Sequence, residues 1–356
     1  MGFVVLIELE EGILMHIPDG YLSPATTVPA LAAMVPIWGV ALNRLKRAAD
    51  RRRVPLLALC AAFAFVIMLF NIPVVGGSSA HAVGAVLIAI LMGPWAACIA
   101  VSTALLIQAL VFGDGGLLAF GINCLNMAVI MPFAGYAVYK LFAGKASGGS
   151  RRGAVASFLG GYVGINLAAL CAAVELGVQP LLFKAADGAP LYCPYPLTTT
   201  VPMMLFAHGL FAGPLEGVLT AAALALIAKY SPDLLPQNAI PDHITGRQPF
   251  FRRYKKPLIA LCVLAVLSPL GLLARGTASF EWGAAELRSQ FGYIPKGFAQ
   301  LAGWWKAILP NYSVPAAGGA PAAGYILSAV VGVALIASVL FGTSKLMLRY
   351  KKADKP

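Results

Sequence analysis

The sequence is poor in charged residues, and acidic residues are especially scarce. Charged residues make up 11% of the 356 positions, and only 14 of them are Asp or Glu, whereas soluble domains carry roughly 25% charged residues. Hydrophobic residues make up 60%. A chain with so few charges cannot cover a water-exposed surface, so its solvent must be largely lipid. This composition excludes disordered, fibrous and disulfide-framework proteins and argues against a soluble enzyme.

Three sequence motifs are also absent, and their absence bears on ATP hydrolysis, on metalloenzyme activity and on the role of the cysteines. Without the P-loop pattern G-x-x-x-x-G-K-[ST], the chain does not hydrolyse ATP by itself. Without H-E-x-x-H or a dense His/Asp cluster, an intramembrane metalloenzyme is disfavoured. The six cysteines are well separated and form no C-x-x-C pair, so they are interpreted as small hydrophobic residues.

Nine apolar stretches are long enough, or nearly long enough, to cross a bilayer, which takes about 20 helical residues. The third is short and ends at Gly93-Pro94, which predicts one arm of a helical hairpin. The fold class is therefore all-α, a polytopic helical bundle with about nine transmembrane helices. The stretches cover residues 26–43, 56–71, 81–93, 95–112, 117–141, 154–177, 200–228, 258–274 and 323–344.

The basic residues predict the orientation of these spans. With the N-terminus outside, 21 of the 26 Lys and Arg residues fall on one side. Lys and Arg stay on the cytoplasmic side, so the N-terminus is expected outside and the C-terminus in the cytoplasm. The same asymmetry accounts for the net charge of +12 without nucleic acid, which is not an expected partner.

A polar, proline-containing loop divides the chain. Residues 15–230 hold seven spans with short connections, residues 231–257 are a predicted cytoplasmic linker, and residues 258–356 hold two spans around an outside loop. Such a break is typical of a joint between two fused membrane modules.

Two of the four histidines are predicted at helix entrances on the outer face. His16 precedes the first span, and His81 follows a Gly/Ser stretch at the outer end of the third. Two converging imidazoles are the minimum for a late first-row transition metal, although each His alone is more simply a hydrogen-bonding interfacial residue. His243 lies in the predicted cytoplasmic linker, where it is interpreted as solvated.

The start of the chain can supply the missing ligands. If Met15 is the first residue, its α-amine, the backbone nitrogen of His16 and the His16 imidazole form a fused chelate, and His81 adds a fourth nitrogen. Four nitrogens in a plane suit Ni(II) and Cu(II) and are acceptable to Co(II). Residues 1–14 would block this chemistry. They lack the features of a signal peptide, and Glu10-Glu11-Gly12 can be encoded by a purine-rich ribosome-binding sequence, so we expect translation to begin at Met15.

Other polar residues are candidates for supporting roles. Asp19 can hold His16 or the N-terminal loop, or cap the Asp19-Gly20 turn, which we favour. His208 and Glu216 lie ~12 Å apart along a helix, too far for one ligand pair. We expect structural hydrogen bonds there, with His208 retained as a possible support of the metal site.

The stretch Met15–Pro24 (MHIPDGYLSP) resembles the N-terminal signature of the CbiM/NikM proteins. These are the substrate-binding (S) components of energy-coupling factor (ECF) transporters for cobalt and nickel. Gly77–His81 (GSSAH) resembles that family's Gly-x-Ser-x-His segment, and the resemblance covers residues 15 to about 230. It implies Met15, His16 and His81 as metal ligands and Co²⁺ or Ni²⁺ as the transported substrate, without deciding between them.

The resemblance also implies partners and a mechanism. A membrane coupling (Q) subunit and cytoplasmic ATPase (O) subunits would drive uptake through the cell inner membrane. Residues 268–283 resemble the small two-span N subunit of these systems, of the PDGLE type. The alternative is an ion-coupled secondary transporter of a divalent metal. That predicts internal repeats and charges at mid-membrane, whereas the spans carry mainly His208, Glu216 and Glu175 and no clear repeat. Neither function is that of an enzyme.

Overall fold

The computed structural model describes residues 16–47, 53–74, 78–146, 148–235, 250–273, 280–314 and 320–353. These residues form a helical bundle with one small antiparallel sheet of two strands. The strands are β1 (Ile72–Val74) and β2 (Ser78–Ala80), with Pro73 opposite Ser79. The main helices are α1 (Pro24–Arg47), α2 (Arg53–Met68), α3 (Ala85–Met92), α4 (Pro94–Phe112), α5 (Phe120–Ala143), α6 (Arg151–Gly177), α7 (Leu197–Tyr230), α8 (Phe250–Leu267), α9 (Ala284–Phe291), α10 (Lys296–Leu301) and α11 (Pro321–Ala353).

Each of the nine predicted apolar stretches overlaps one of these helices. The all-α polytopic fold is confirmed. Within the described residues, seven helices are long and apolar enough to cross a membrane. The second stretch forms the 16-residue helix α2. The third forms α3, which has only eight residues and covers ~12 Å. The count of nine spans therefore corresponds to seven full-length helices, one shorter apolar helix and one buried half-length helix.

The hairpin predicted at Gly93-Pro94 is present, and its residues explain it. Gly93 follows the last residue of α3, and its φ of 91° is accessible to glycine but strained for other residues. Pro94 then occupies the first turn of α4, where its missing N–H costs nothing. Because α3 is apolar all round, it lies buried among its neighbours.

Close helix packing follows from the small residues in α6. The backbone carbonyl of Gly135 in α5 would clash with any side chain at Gly160, and the carbonyl of Gly160 would clash with one at Gly135. The two helices therefore meet almost backbone to backbone, as expected for small residues in membrane helices.

Three of the long helices contain a π-helical turn, at Gln108–Phe112, Leu125–Ile130 and His208–Ala212. Such turns are rare and occur often at functional sites. The first one ends α4 and leads directly into the loop Gly113–Gly116, named here the GDGG loop after its sequence. This places the loop at the end of the bundle where the N-terminal residues enter.

The C-terminal segment (residues 250–353) packs onto the preceding helices and does not form a separate body. Helix α11 lies against α2, where the Phe65 ring fills the space beside Gly332. The connector (residues 280–314) joins α8 to α11 and reaches the N-terminal residues: Tyr21 donates a hydrogen bond to the carbonyl of Trp282 at 2.9 Å. Most of the predicted linker, residues 236–249, lies outside the described residues, and the domain boundaries stay a prediction.

Candidate metal centre

The N-terminal segment (residues 16–23) is buried at the end of the bundle. His16, Tyr21 and Ser23 are all at most 4% exposed. The carbonyl of Ile17 accepts hydrogen bonds from the backbone N–H of Gly116 at 2.9 Å and from the side-chain amide of Asn123 at 3.0 Å. The segment is therefore held between the GDGG loop and the first turn of α5.

The glycines of the GDGG loop make this close approach possible. Gly113 and Gly115 have φ of 71° and 81°, in the left-handed region that favours glycine. Gly116 lies against the Asp19 carboxylate, and a side chain at Gly116 would overlap it. The local sequence thus brings Asp114, between these glycines, next to the N-terminal segment.

Asp19 holds the N-terminal segment to α5. Its carboxylate accepts from the backbone N–H groups of Leu117 at 3.0 Å, Leu118 at 2.8 Å and Ala119 at 3.1 Å, and from the indole N–H of Trp304 at 2.9 Å. Burial raises the pKa of Asp19, and these hydrogen bonds oppose the rise. The favoured role, a cap of its own turn, is corrected: the Asp19 carboxylate accepts from the amides just before α5 and so holds the N-terminal loop, the other role considered for it.

The structure brings His16 and His81 together although they are 65 positions apart in sequence. Their ring centroids lie 5.3 Å apart, with the planes at 69°. His81 lies between β2 and α3, with its Nδ1 3.3 Å from the carbonyl oxygen of Ala82. The convergence expected from the predicted topology is therefore present in the fold.

His16 also contacts a residue that sequence analysis did not select. Its Nδ1 lies 3.1 Å from Oδ1 of Asp114, and both side chains are 1% exposed. The other ring nitrogen, Nε2, is buried and has no hydrogen-bond partner in the part of the chain that the structure describes. A buried ring nitrogen without a hydrogen-bond partner is costly.

Asp114 is the centre of a buried hydrogen-bond network. The Tyr312 hydroxyl donates to Oδ2 of Asp114 at 2.5 Å, and the Gln108 amide lies 3.3 Å from the same oxygen and 3.1 Å from the Tyr312 hydroxyl. All three side chains are at most 2% exposed. Sequence reasoning missed Asp114. An acidic residue among glycines at the end of an apolar span, in a chain with 14 acidic residues, was the available signal.

The other predicted site residues are Met15 and His208. Met15, together with residues 1–14, lies outside the described residues. His208 has its Nδ1 2.9 Å from the carbonyl oxygen of Met204 in its own helix, as a structural hydrogen bond would. Among the described residues no group of three or more His, Cys, Asp or Glu side chains could hold an ion.

Comparison with known proteins identifies the family. The family model described as "Cobalt uptake substrate-specific transmembrane region", CbiM, matches residues 16–234. This is more than half of the chain and includes both converging histidines. The protein belongs to the CbiM family.

Relatives of this CbiM chain include both fused and shorter proteins. The fused nickel transport protein NikMN of Rhodobacter capsulatus is 48% identical over 337 residues, which cover 90% of this chain and 95% of that protein. The cobalt transport protein CbiM of Salmonella typhimurium is 37% identical over 142 residues, 39% of this chain and 58% of that protein. A crystal structure of a truncated transition metal transporter is 50% identical, with a TM-score of 0.57, covering 61% of this chain and 99% of that one.

CbiM membership settles the broad class. The protein is a multi-pass membrane protein of a transport family and not an enzyme, which removes the metalloenzyme alternative.

Proposed function

We propose that this CbiM-family protein binds Ni²⁺ or Co²⁺ at the outer face of the membrane as the substrate-binding component of an ECF-type importer. Support comes from relatives named as nickel and cobalt transport proteins. The chain lacks a P-loop, so partner ATPase (O) subunits would supply the energy through a membrane coupling (Q) subunit.

The convergence of His16 and His81 is the observation that carries the proposal. Two imidazoles with ring centroids 5.3 Å apart are close enough to share an ion, and imidazole nitrogen suits late first-row metals. Burial also excludes water, which would otherwise compete for the ion.

The proposed ligands are the α-amine of Met15, the backbone nitrogen and imidazole of His16, and the imidazole of His81. Asp19 supports them by fixing the N-terminal segment to α5. This ligand set requires translation to begin at Met15, because only a chain terminus carries a free α-amine. Residues 15–230 would form the metal-binding domain, and residues 258–356 a fused module that helps to load it.

The basic clusters support a matching orientation, with the N-terminus outside, the C-terminus in the cytoplasm and the protein in the cell inner membrane. His16 and His81 then face the side from which cargo arrives. Lipid surrounds the exposed apolar faces of the helices.

Metal analysis of the purified full chain tests the proposal. Intact-protein mass spectrometry first establishes the initial residue, and the chain is then loaded with Ni²⁺ and desalted. His16→Ala and His81→Ala are expected to lose bound Ni²⁺, whereas the matched control His243→Ala is expected to keep it. A mature chain that begins at Met1, or stoichiometric Ni²⁺ in either variant, would refute the ligand assignment.

The alternative, an ion-coupled secondary transporter, would rely on charged groups within the spans. The buried Glu216 and the partly buried Glu175 both have structural partners: the backbone of Val83 donates to Glu216 at 2.8 Å, and Asn126 donates to Glu175 at 2.7 Å. Reconstituted uptake separates the two functions. Uptake that requires co-expressed ATPases supports the importer, and uptake driven by a proton gradient alone supports the alternative.

A further inference from the structure

Asp114 contacts the one imidazole atom that the proposed chelate needs. A chelate ring that includes the backbone nitrogen and the imidazole of the same residue closes through Nδ1, because Nδ1 is bonded to the ring carbon that carries Cβ. Nε2 lies on the far side of the ring. In the structure Nδ1 of His16 lies 3.1 Å from Asp114 Oδ1, so the ion and Asp114 require the same atom.

We propose that Asp114, held in place by Tyr312, is the partner of His16 Nδ1 in the metal-free protein and competes with the incoming ion for this atom. The inference rests on the proposed metal site and extends it. Asp114 lowers the affinity for Ni²⁺ or Co²⁺ because binding must first break the His16–Asp114 contact. The same contact re-forms when the ion leaves, which favours release.

Competition of this kind has a quantitative consequence. When only a fraction of the protein is in the binding-competent state, the apparent dissociation constant rises by the inverse of that fraction. A carrier that must release its cargo benefits from this reduction, since a fused nitrogen chelate would otherwise hold the ion tightly. Asp114 therefore sets the affinity without being a ligand.

Tyr312 links this competition to the C-terminal segment. Its ring stacks on Phe112 at 4.8 Å, and its carbonyl accepts a hydrogen bond from the Ser328 hydroxyl at 2.9 Å. Asn311 and Tyr312 have φ of 55° and 57°, a conformation that is uncommon for residues other than glycine. Packing from several sides maintains this backbone, and it points the Tyr312 hydroxyl at Oδ2 of Asp114.

Tyr325 offers a matched control. Its ring packs against Tyr312 with centroids 5.3 Å apart. Its own hydroxyl is buried but has no hydrogen-bond partner among the described residues. Tyr325→Phe therefore removes a buried tyrosine hydroxyl beside the network without removing a hydrogen bond to Asp114.

The test measures Ni²⁺ affinity and release in the purified full chain. The dissociation constant is obtained by competition with a chromophoric chelator, and the release rate by adding excess chelator to the loaded protein. Asp114→Asn is expected to bind Ni²⁺ roughly tenfold or more tightly and to release it more slowly, given what hydrogen bonds to charged groups contribute. Tyr312→Phe should shift both values in the same direction by less, and Tyr325→Phe should leave them unchanged.

A double-mutant cycle tests the route of the effect. If Tyr312 acts through Asp114, Asp114→Asn with Tyr312→Phe should match Asp114→Asn alone. Damage to the fold does not produce tighter binding, so the expected gain distinguishes competition from a structural role. An unchanged or weaker affinity in Asp114→Asn, an independent effect of Tyr312→Phe in that background, or an equal gain in Tyr325→Phe would overturn the inference.

The two proposals fail in different ways. If His16→Ala or His81→Ala retains Ni²⁺, the proposed metal site is wrong, and the proposed competition by Asp114 is wrong as well. If both lose Ni²⁺ and Asp114→Asn binds no more tightly, the site stands and only the competition is wrong.

Discussion

Two regions of the bundle bury carboxylates for different purposes. Just before α3, Glu216 accepts hydrogen bonds from the backbone N–H groups of Val83 and Gly84. At the end that carries the candidate metal centre, Asp114 contacts the side chains of His16, Gln108 and Tyr312. Backbone amides have fixed positions, so a carboxylate that accepts from them stabilises the fold. Side chains can change rotamer and hydrogen-bond partner, so a carboxylate bonded to side chains suits a site that binds and releases an ion.

Asp19 lies beside the GDGG loop, near Asp114, but resembles Glu216 in chemistry. It belongs to the N-terminal segment next to His16, yet its partners are the amides before α5 and the indole of Trp304. The comparison therefore predicts that Asp19 and Glu216 act mainly on stability, whereas Asp114 acts mainly on metal affinity.

The largest expected effect is that of Glu216→Ala. It leaves two buried backbone N–H groups without an acceptor, at about 1–3 kcal/mol each, so thermal unfolding in detergent should begin at a clearly lower temperature. Glu216→Gln keeps one acceptor oxygen and should lose less. If Glu216→Ala unfolds at the same temperature as the unmodified protein, the hydrogen bonds of the Glu216 carboxylate do not stabilise the fold.

Gly116→Ala should have the next largest effect. The added methyl group would overlap the Asp19 carboxylate, and overpacking typically costs about 1–3 kcal/mol. Displacement of the N-terminal segment should also weaken Ni²⁺ binding in equilibrium titrations. Gly303→Ala is the control, because open space surrounds that position. Equal behaviour of the two variants would contradict the close packing of the GDGG loop.

Asp19→Asn should cost about 1–2 kcal/mol, because one carboxylate oxygen is replaced by an amide group that cannot accept from the backbone donors. One amide oxygen remains to accept from the three backbone donors, so the fold should persist. Thermal unfolding measures the loss, and Trp304→Phe provides the comparison, since it removes only the indole donor. A larger loss in Trp304→Phe than in Asp19→Asn would show that the connector, not α5, holds the segment.

The smallest expected effect is that of Tyr21→Phe. It removes one hydrogen bond, from the Tyr21 hydroxyl to the carbonyl of Trp282, which contributes about 0.5–1.5 kcal/mol. The ring still packs edge-on against Phe298 at 5.4 Å. Unfolding should shift slightly and Ni²⁺ affinity should not change; a loss of Ni²⁺ would assign Tyr21 to the metal site.

Particular residues show how far sequence reasoning extends. The helices were predictable because membrane helices need long apolar runs, and the hairpin because Gly93-Pro94 is a local signal. The pairing of His16 with His81 was predictable because both residues lie at helix entrances on one predicted face. Of the two roles considered for Asp19, the favoured turn cap was wrong, since its backbone partners are about 100 positions away and no local pattern shows them.

The sequence by itself determined that this chain is a helical membrane bundle, where its spans lie, and which two histidines come together. Those features follow from hydrophobicity, charge asymmetry and short motifs, all of which are local. Only the tertiary structure decided that α3 is a buried half-length helix and that Asp114 lies between His16 and Tyr312, residues 98 positions before it and 198 after it. Such contacts depend on how helices and loops pack in three dimensions, and packing is a property of the whole chain.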